Sequence, residues 1–328
     1  MLIAYEQQQY VAEAIRGAFS QTYKPLEIIL SDDGSADATF ETMQKMVAEY
    51  RGPHRVRLNR NEKNLGLGGH VDHLMGLAHG ELVVVAAGDD ISVPERVERL
   101  WQSYVDSGGR AMSVYSSLRV IDEHGDKHEI VHRPPGEAAT DIEAYLVTGG
   151  VCGCSHAWHR RTFDIFGPML PGTVYEDKVI PFRSILLGEI RYIDEPLVLY
   201  RRHSQSITGP RACPSTDLDA VAQVVKRQNR RLITLKNYER DLLHENDAIR
   251  VDADVRKRLA ASVHRRIRRM ELEIAFNEGA FRDRVRVIRQ GVSAHLGLPR
   301  IAKWCVQLVY PYHLHRARRK LRKDPAGS

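Results

Sequence analysis

Two acidic turns carry the first chemical signal in the chain. One reads Ser31-Asp32-Asp33-Gly34-Ser35-Ala36-Asp37 and the other Gly88-Asp89-Asp90, and each follows a short apolar run that reads as a β-strand. Adjacent carboxylates repel and raise one another's pKa, so a protein keeps them where a divalent cation or a polar ligand offsets the charge. Hard cations such as Mg²⁺ and Mn²⁺ take oxygen ligands and are commonly shared with substrate phosphates. Either pair alone is also ordinary turn and helix-capping chemistry. Two pairs at neighbouring strand ends point instead to a metal-bound diphosphate. A third cluster, Cys152-Gly153-Cys154-Ser155-His156 with His159 after it, holds metal-ligand types at close spacing. Zinc motifs separate their cysteines by two or more residues and draw ligands from two distant segments. The run therefore reads as a strand that sets Cys152, Cys154 and His156 on one face, packed or turned toward a substrate.

Positioning these groups requires strands that end where the acids begin. Short β-like runs at residues 2–5, 26–31, 55–59, 82–87 and 112–116 alternate with helical patterns at 10–19, 38–50, 71–79 and 94–106. Ser92 stands as N-cap of the last helix and Pro94 in its first turn. Such alternation predicts an α/β sheet of βαβ units, mostly parallel, with ligands outside the carboxyl ends of its strands. After residue 117 the alternation is lost. A hairpin is expected around His124-Gly125-Asp126, then a helix near 141–147 and a Gly/Cys-rich run at 149–155. Beyond residue 215 the pattern is helical and Arg-rich, with breaks near Gly279, Gly291 and Pro299.

With 43% hydrophobic and 27% charged residues, the 328-residue chain has the composition of a globular protein, in one large domain with an appendage or in two domains. No apolar run approaches the ~20 residues that span a bilayer, which excludes a helical membrane-spanning protein. Four cysteines, at 152, 154, 213 and 305, and no basic segment leading into an apolar one at the N-terminus predict neither a disulfide framework nor secretion. A cytoplasmic location is expected. The net charge of +6 hides an asymmetry: from residue 215 onward 26 Lys and Arg face 13 Asp and Glu, whereas residues 1–214 carry 22 against 29. An acidic body with a basic tail suggests a catalytic or binding domain followed by a segment facing something anionic.

The order of short motifs is more specific than any one of them. Tyr5, Phe19-Ser20-Gln21-Thr22-Tyr23, Glu27-Ile28-Ile29-Leu30-Ser31-Asp32-Asp33-Gly34-Ser35, Asn64-Leu65-Gly66, Ala78-His79-Gly80-Glu81 and Gly88-Asp89-Asp90 with Pro94-Glu95-Arg96 follow in sequence. A second block holds Glu176-Asp177, Arg183, Gly188, Glu195-Pro196-Leu197 and Tyr200-Arg201-Arg202-His203. Over residues 1–208 the chain resembles the family 2 glycosyltransferases, which have the GT-A fold. The resemblance implies a GT-A domain over residues 1–212, with a nucleotide-sugar-binding half at 1–117 and an acceptor-side half at 118–212, and a basic helical region at 213–328. It further implies that Ala4, Tyr5, Glu6 and Asp33 lie at the nucleotide base and ribose, with Asn64 and Gly66 on the same donor site. Asp90 would be the main metal ligand. Asp89 would bind ribose or donor sugar and join the metal site, His203 would add a metal or diphosphate contact, and Asp177, beside Glu176, would be the general base. The implied cofactor is Mn²⁺ or Mg²⁺.

The expected reaction is an inverting, metal-dependent, non-processive transfer of a sugar from a nucleoside diphosphate sugar, by resemblance a UDP-sugar, to a hydroxyl of a cell-surface polysaccharide or lipid-linked glycan precursor. The absence of Gln-x-x-Arg-Trp argues against a processive synthase. Three positions depart from the family: the chain begins almost inside its first strand, Ala87 replaces an additional Asp, and Asp72-His73 replaces Asn. Rival readings are a sugar nucleotidyltransferase, which would want a Gly-rich basic loop where Glu6-Gln7-Gln8-Gln9 stands, and a binding protein that has lost catalysis. Trp304, Tyr310 and Tyr312 beside the basic run at 316–323 have the composition of a peripheral membrane anchor, which a lipid-linked acceptor would give a purpose. No nucleic acid is expected as a partner.

Overall fold

The computed structural model describes residues 1–204, 217–279, 281–293 and 297–309. Cys213, Tyr310, Tyr312 and the basic run at 316–323 lie outside the described residues. From the N-terminus the chain forms β1 (Leu2–Ala4), α1 (Val11–Phe19), β2 (Glu27–Asp32), α2 (Thr39–Glu49), β3 (Arg55–Arg60) and α3 (Gly66–Leu77). The apolar residues of β1 and β2 are buried almost throughout because helices cover both faces of the sheet. Val11, Ala14 and Ile15, at helical spacing on α1, close a core with Leu2, Ile28, Leu30 and Met43.

The run expected as one strand at 82–87 is two, β4 (Leu82–Val84) and β5 (Ala86–Ala87), in different sheets. Val85 between them leaves both ladders: its N–H donates to the His156 carbonyl (3.2 Å) and its carbonyl accepts from the buried Arg96 guanidinium (2.7 Å). Next come β6 (Ile91–Ser92), α4 (Arg96–Asp106), β7 (Ala111–Ile121), β8 (Lys127–Val131), α5 (Ile142–Thr148), β9 (Ala157–His159), α6 (Arg161–Asp164), α7 (Glu176–Leu187) and β10 (Glu189–Arg201). The first sheet, ordered β3-β2-β1-β5, is parallel throughout, as the alternation predicts. The second, ordered β4-β9-β7-β10-β6 with β8 on β7, is mixed: β7 and β10 run parallel and the short strands pair antiparallel. Ser92 does not cap α4; it lies in β6, and its hydroxyl accepts from Arg96 (2.9 Å).

Four helices follow: α8 (Asp217–Leu242), α9 (Ala253–Glu278), α10 (Phe281–Ser293) and α11 (Leu298–Val309). The break expected at Gly291 falls inside α10, and Pro299 occupies the first turn of α11. The chain divides into two units, Met1–Arg211 with Arg240–Leu259, and Ala212–Glu239 with Ala260–Ser328. Where the sequence suggests a division at residue 212, Arg240–Leu259 thus returns to the first unit. In the second unit Trp304 is buried, its ring stacked on Phe276 with centroids 5.1 Å apart, so it is a core residue rather than the membrane-facing anchor expected from its neighbours.

The return of Arg240–Leu259 is fastened by an ion pair inside the first unit. Arg183 and Asp241 are both about fully buried, and Arg183 Nε donates to Asp241 Oδ2 at 2.8 Å. The remaining guanidinium nitrogens reach the carbonyls of Gly167 (2.8 Å), Thr162 and Pro168, and Phe163 and Phe166 flank the charge. Removing one partner of such a pair strands the other charge in a low-dielectric interior, at a cost of about 3–5 kcal/mol. Asp241→Ala is therefore expected to lower the unfolding free energy measured in urea by an amount in that range, and a change below about 1 kcal/mol would contradict the assignment.

Candidate active site

The carboxyl edge of the first sheet gathers the donor-side residues. The Ala4 carbonyl at the end of β1 accepts the Asp33 N–H (2.9 Å). Tyr5 stands exposed, and Glu6 takes φ +52°, the one positive value for a non-glycine among the described residues. The acidic turn holds this loop with its side chains: the Glu6 N–H donates to Ser35 Oγ (2.8 Å), the Gln7 N–H to Thr39 Oγ1 (2.8 Å) and the Gln8 N–H to Asp37 Oδ2 (3.2 Å). Asp32, fully buried, accepts from the Ser35 hydroxyl and backbone and pairs with Arg60 (3.3 Å), so its work is to shape the turn.

Asp33 is the better placed of the pair. It accepts from Asn61 Nδ2 (2.7 Å) and from the N–H groups of Leu65 (3.0 Å) and Gly66 (3.1 Å). These backbone groups open α3, so Asp33 acts as its cap from a different strand and starts the helix at Gly66 rather than at residue 71. Asn64 Oδ1 also accepts from the Gly66 N–H (2.7 Å), and Gly66 has φ +73°, a conformation that favours glycine. Asp33, Asn64 and Gly66 are thus brought together beside Ala4 and Glu6. Asp72 is not part of this group: its carboxylate accepts the Met169 N–H (3.0 Å), and burial raises its pKa to about 6.

The second acid pair meets the end of β10. Asp90 Oδ1 accepts the Arg201 N–H (2.8 Å), and the Cys154 thiol lies beside the same carboxylate. Asp89 Oδ2 lies 3.1 Å from His203 Nε2, and His203 packs on the Tyr10 ring at 4.8 Å. Burial and the Asp89 charge push the Asp90 carboxyl well above the ordinary range. Arg201, which the sequence shows only as part of a motif, holds the arrangement together. Its buried guanidinium donates to the Asp89 carbonyl (3.1 Å), to the carbonyls of Asp122 (3.1 Å) and Glu123 (3.3 Å), and to Glu13 Oε2 (2.7 Å), with the Tyr10 ring 4.8 Å away.

Glu176 and Asp177 occupy the first turn of α7. Glu176 Oε2 and Asp177 Oδ1 are buried and have no hydrogen-bond partner. Burial raises the Asp177 pKa to about 6 against the lowering influence of Lys178 and Arg133; burial and then the Asp177 charge drive Glu176 well above its ordinary range. Of the two, Asp177 therefore ionises first and is a carboxylate at neutral pH. The segment expected as a strand through Cys152 and Cys154 is a turn, with a single 3₁₀ helix at Gly153–Ser155; the strand is β9, two residues later. A side chain at residue 153 would lie 3.1 Å from Glu176 Oε1 and 3.3 Å from Asp177 Cβ, whereas Cys154 reaches Asp90. The turn thus lies between the two acid pairs and touches both.

Asp89, Asp90 and His203 offer hard oxygen and borderline nitrogen donors, a set that suits Mn²⁺ or Mg²⁺. Among the described residues no three His, Cys, Asp or Glu side chains form a ready-made metal cage.

Gly88 sets the approach of the acid pair to β1. A Cβ there would fall 2.3 Å from Gln7 Oε1 and 2.7 Å from Ala4 Cβ. Gly88→Ala should lower stability by about 1–3 kcal/mol through this overpacking. Gly76→Ala, a helical position with nothing within 4 Å, should be neutral or stabilising by up to about 1 kcal/mol. Equal thermal unfolding of the two variants would contradict the close approach.

Comparison with known proteins bears on the family and the fold. The glycosyltransferase GlyG of Streptococcus pneumoniae is 25% identical over 219 residues, 62% of this chain and 70% of that protein. An uncharacterised protein of Mycobacterium tuberculosis is 28% identical over 210 residues, 62% of this chain and 58% of its own length, so the chain spans little more than half of that relative. Among solved structures, Staphylococcus aureus TarS 1–349 in complex with UDP superposes with a TM-score of 0.53 at 13% identity, covering 81% of this chain and 70% of TarS, which shows the GT-A fold. The family model for glycosyl transferase family 2 matches residues 1–165, half of the 328, a span that takes in both strand-end acid pairs and the turn through Cys154. The chain belongs to glycosyl transferase family 2.

Proposed function

We propose that the protein is an inverting, metal-dependent, non-processive glycosyltransferase that moves a sugar from a UDP-sugar to a hydroxyl of a cell-surface polysaccharide or lipid-linked glycan precursor, working in the cytoplasm and at the membrane surface. The observation that carries this reading is Asp177: a carboxylate that ionises at about 6, keeps an unpartnered oxygen, and neighbours the turn that touches the donor-side acids. Asp177 accepts the proton of the incoming hydroxyl. The hydroxyl oxygen bonds to the anomeric carbon as the bond from that carbon to the diphosphate oxygen breaks, and the electron pair leaves on the diphosphate. Attack from the far side, with no enzyme nucleophile, inverts the anomeric configuration. Glu176 keeps its proton and so leaves Asp177 the only ionised member of the pair.

Asp90, Asp89 and His203 would hold the divalent cation, which neutralises charge developing on the leaving diphosphate. Asp33 orders the loop carrying Asn64 and Gly66, beside Tyr5 and Glu6, where base and ribose would lie. The fold likeness to a structure solved with UDP supports uridine as the base. Contact with an anionic surface is supported by exposed cations of the second unit: Lys226, Arg227 and Arg231 on α8, and Arg265, Arg268 and Arg269 on α9. No helix among the described residues is long and apolar enough to cross a membrane.

Calorimetric titration of UDP should show binding that strengthens with Mn²⁺ in the wild type and loses that dependence in Asp90→Asn; equal behaviour of the two proteins would refute the cation site. Asp177→Asn should lower the transfer rate by about 10²- to 10⁴-fold, the usual contribution of a general base, and leave UDP affinity unchanged. Because the base must be ionised, the wild-type rate should fall as pH drops through about 6. A rate that is flat through that region would exclude Asp177 as the base.

A further inference from the structure

One cation beside Asp177 has no part in the transfer step. Arg133 follows β8, and neighbouring strands hold its backbone from both sides: its carbonyl accepts the Tyr115 hydroxyl (2.5 Å), and its N–H donates to the Tyr192 hydroxyl (3.3 Å). Tyr115 lies on β7 and Tyr192 on β10, with ring centroids 5.2 Å apart, so the residue is fixed to the rigid part of the second sheet. Its side chain is exposed. Tyr115, which holds its backbone, precedes Ser116, whose N–H and carbonyl bond the Ser155 hydroxyl (3.3 and 2.9 Å) in the turn beside Asp177, where the Val151 N–H donates to the Asp177 carbonyl (3.2 Å). From there the Arg133 charge opposes the rise that burial gives the Asp177, Cys152 and Tyr115 pKa values. Cys152 adjoins Gly153, the residue that packs on Glu176 and Asp177, so the path from Arg133 to the base runs over one turn.

No carboxylate among the described residues forms an ion pair with Arg133. Asp194, on the neighbouring β10, is committed to His132 (2.5 Å), Ser117 (2.8 Å) and Tyr192 (2.9 Å). Asp177 is needed in its ionised form for the incoming hydroxyl. An arginine anchored at this position with its guanidinium open suits an anion that arrives with the acceptor, and the planar fork matches the oxygens of phosphate.

We propose that the acceptor carries a phosphate ester close to its accepting hydroxyl and that Arg133 binds this phosphate, making Arg133 a specificity-determining residue. The inference rests on Asp177 being the base of a glycosyltransferase. A soluble sugar phosphate and a lipid with a phosphate-linked sugar or polyol share the chemistry, and the two arms of the test separate them.

With the donor site of the full chain saturated by UDP and Mn²⁺, glucose 1-phosphate and methyl glucoside are titrated by calorimetry. Sedimentation with phosphatidylcholine vesicles, with or without phosphatidylinositol, forms the second arm. At least one phosphate probe should bind about tenfold or more tightly than its neutral counterpart, the usual range for a charge-assisted hydrogen bond. Arg133→Gln should abolish a preference for glucose 1-phosphate and remove about tenfold or more of a preference for the phosphatidylinositol vesicles, the remainder belonging to the exposed cations of the second unit, without changing UDP affinity. Arg133→Lys should restore part of what is lost. A preference confined to glucose 1-phosphate identifies a soluble acceptor, and one confined to the vesicles a lipid-borne acceptor. Normal UDP binding with no phosphate preference in either arm, or with a preference that Arg133→Gln leaves intact, overturns the inference alone. Failure of UDP to bind at all overturns the donor reading and this inference with it.

Discussion

A buried guanidinium joins the two sheets at the edge where the acids collect. Arg201 ends β10 in the second sheet and reaches the Asp89 carbonyl after β5 in the first, Glu13 on α1, and the turn between β7 and β8. Taking a guanidinium out of water costs several kcal/mol, and only a full set of acceptors offsets it. Four protein oxygens and the Tyr10 ring provide that set, so the end of β10 has one register in which the charge is satisfied. The same register delivers the Arg201 N–H to Asp90 and, two residues later, His203 to Asp89.

The two acid pairs then differ in how far the protein itself satisfies them. Asp89 faces His203, and Asp90 accepts a backbone N–H and lies beside the Cys154 thiol, so each carboxylate of this pair has protein partners. Glu176 and Asp177 retain oxygens without partners, and an unsatisfied buried carboxyl works against stability. Perturbed groups of this kind cluster at functional sites, because a base needs a pKa near its working pH. Burial raises the Asp177 pKa to about 6, and burial with the Asp177 charge raises Glu176 further, so the pair carries one charge at neutral pH. The turn at Cys152–Cys154 is small enough to pass between the pairs, and residue 153 has room for nothing larger than glycine without pressing on Glu176.

Much of this was legible in the sequence. The strands at β1, β2 and β3 and helices α1, α2 and α4 follow from apolar spacing, since α1 and α2 bury a face in the core of the first sheet and α4 buries Leu100 and Tyr104 against β7 and β9 of the second. The acidic turns were visible because an Asp-Asp pair follows an apolar run at two places in the chain. Features that depend on distant partners were not visible. Val85 leaves its strand because Arg96 and His156 take its backbone groups; α3 starts early because Asp33, more than thirty residues upstream, caps it. Trp304 reads as an anchor until Phe276, from another helix, covers it. Arg201 could have been suspected as a charged residue that ends an apolar strand beside two acids, but its partners come from three separate segments.

The central claim is that a nucleoside diphosphate sits at the carboxyl edge of the first sheet, under the ends of β1, β2 and β5. Amide hydrogen exchange of the full chain, with and without UDP and Mn²⁺, tests it most directly. The account predicts new protection over residues 4–10, 31–37, 61–68 and 88–90, and none in α10 or α11. Protection centred on those C-terminal helices, or unchanged exchange at the strand ends under saturating UDP, would contradict it.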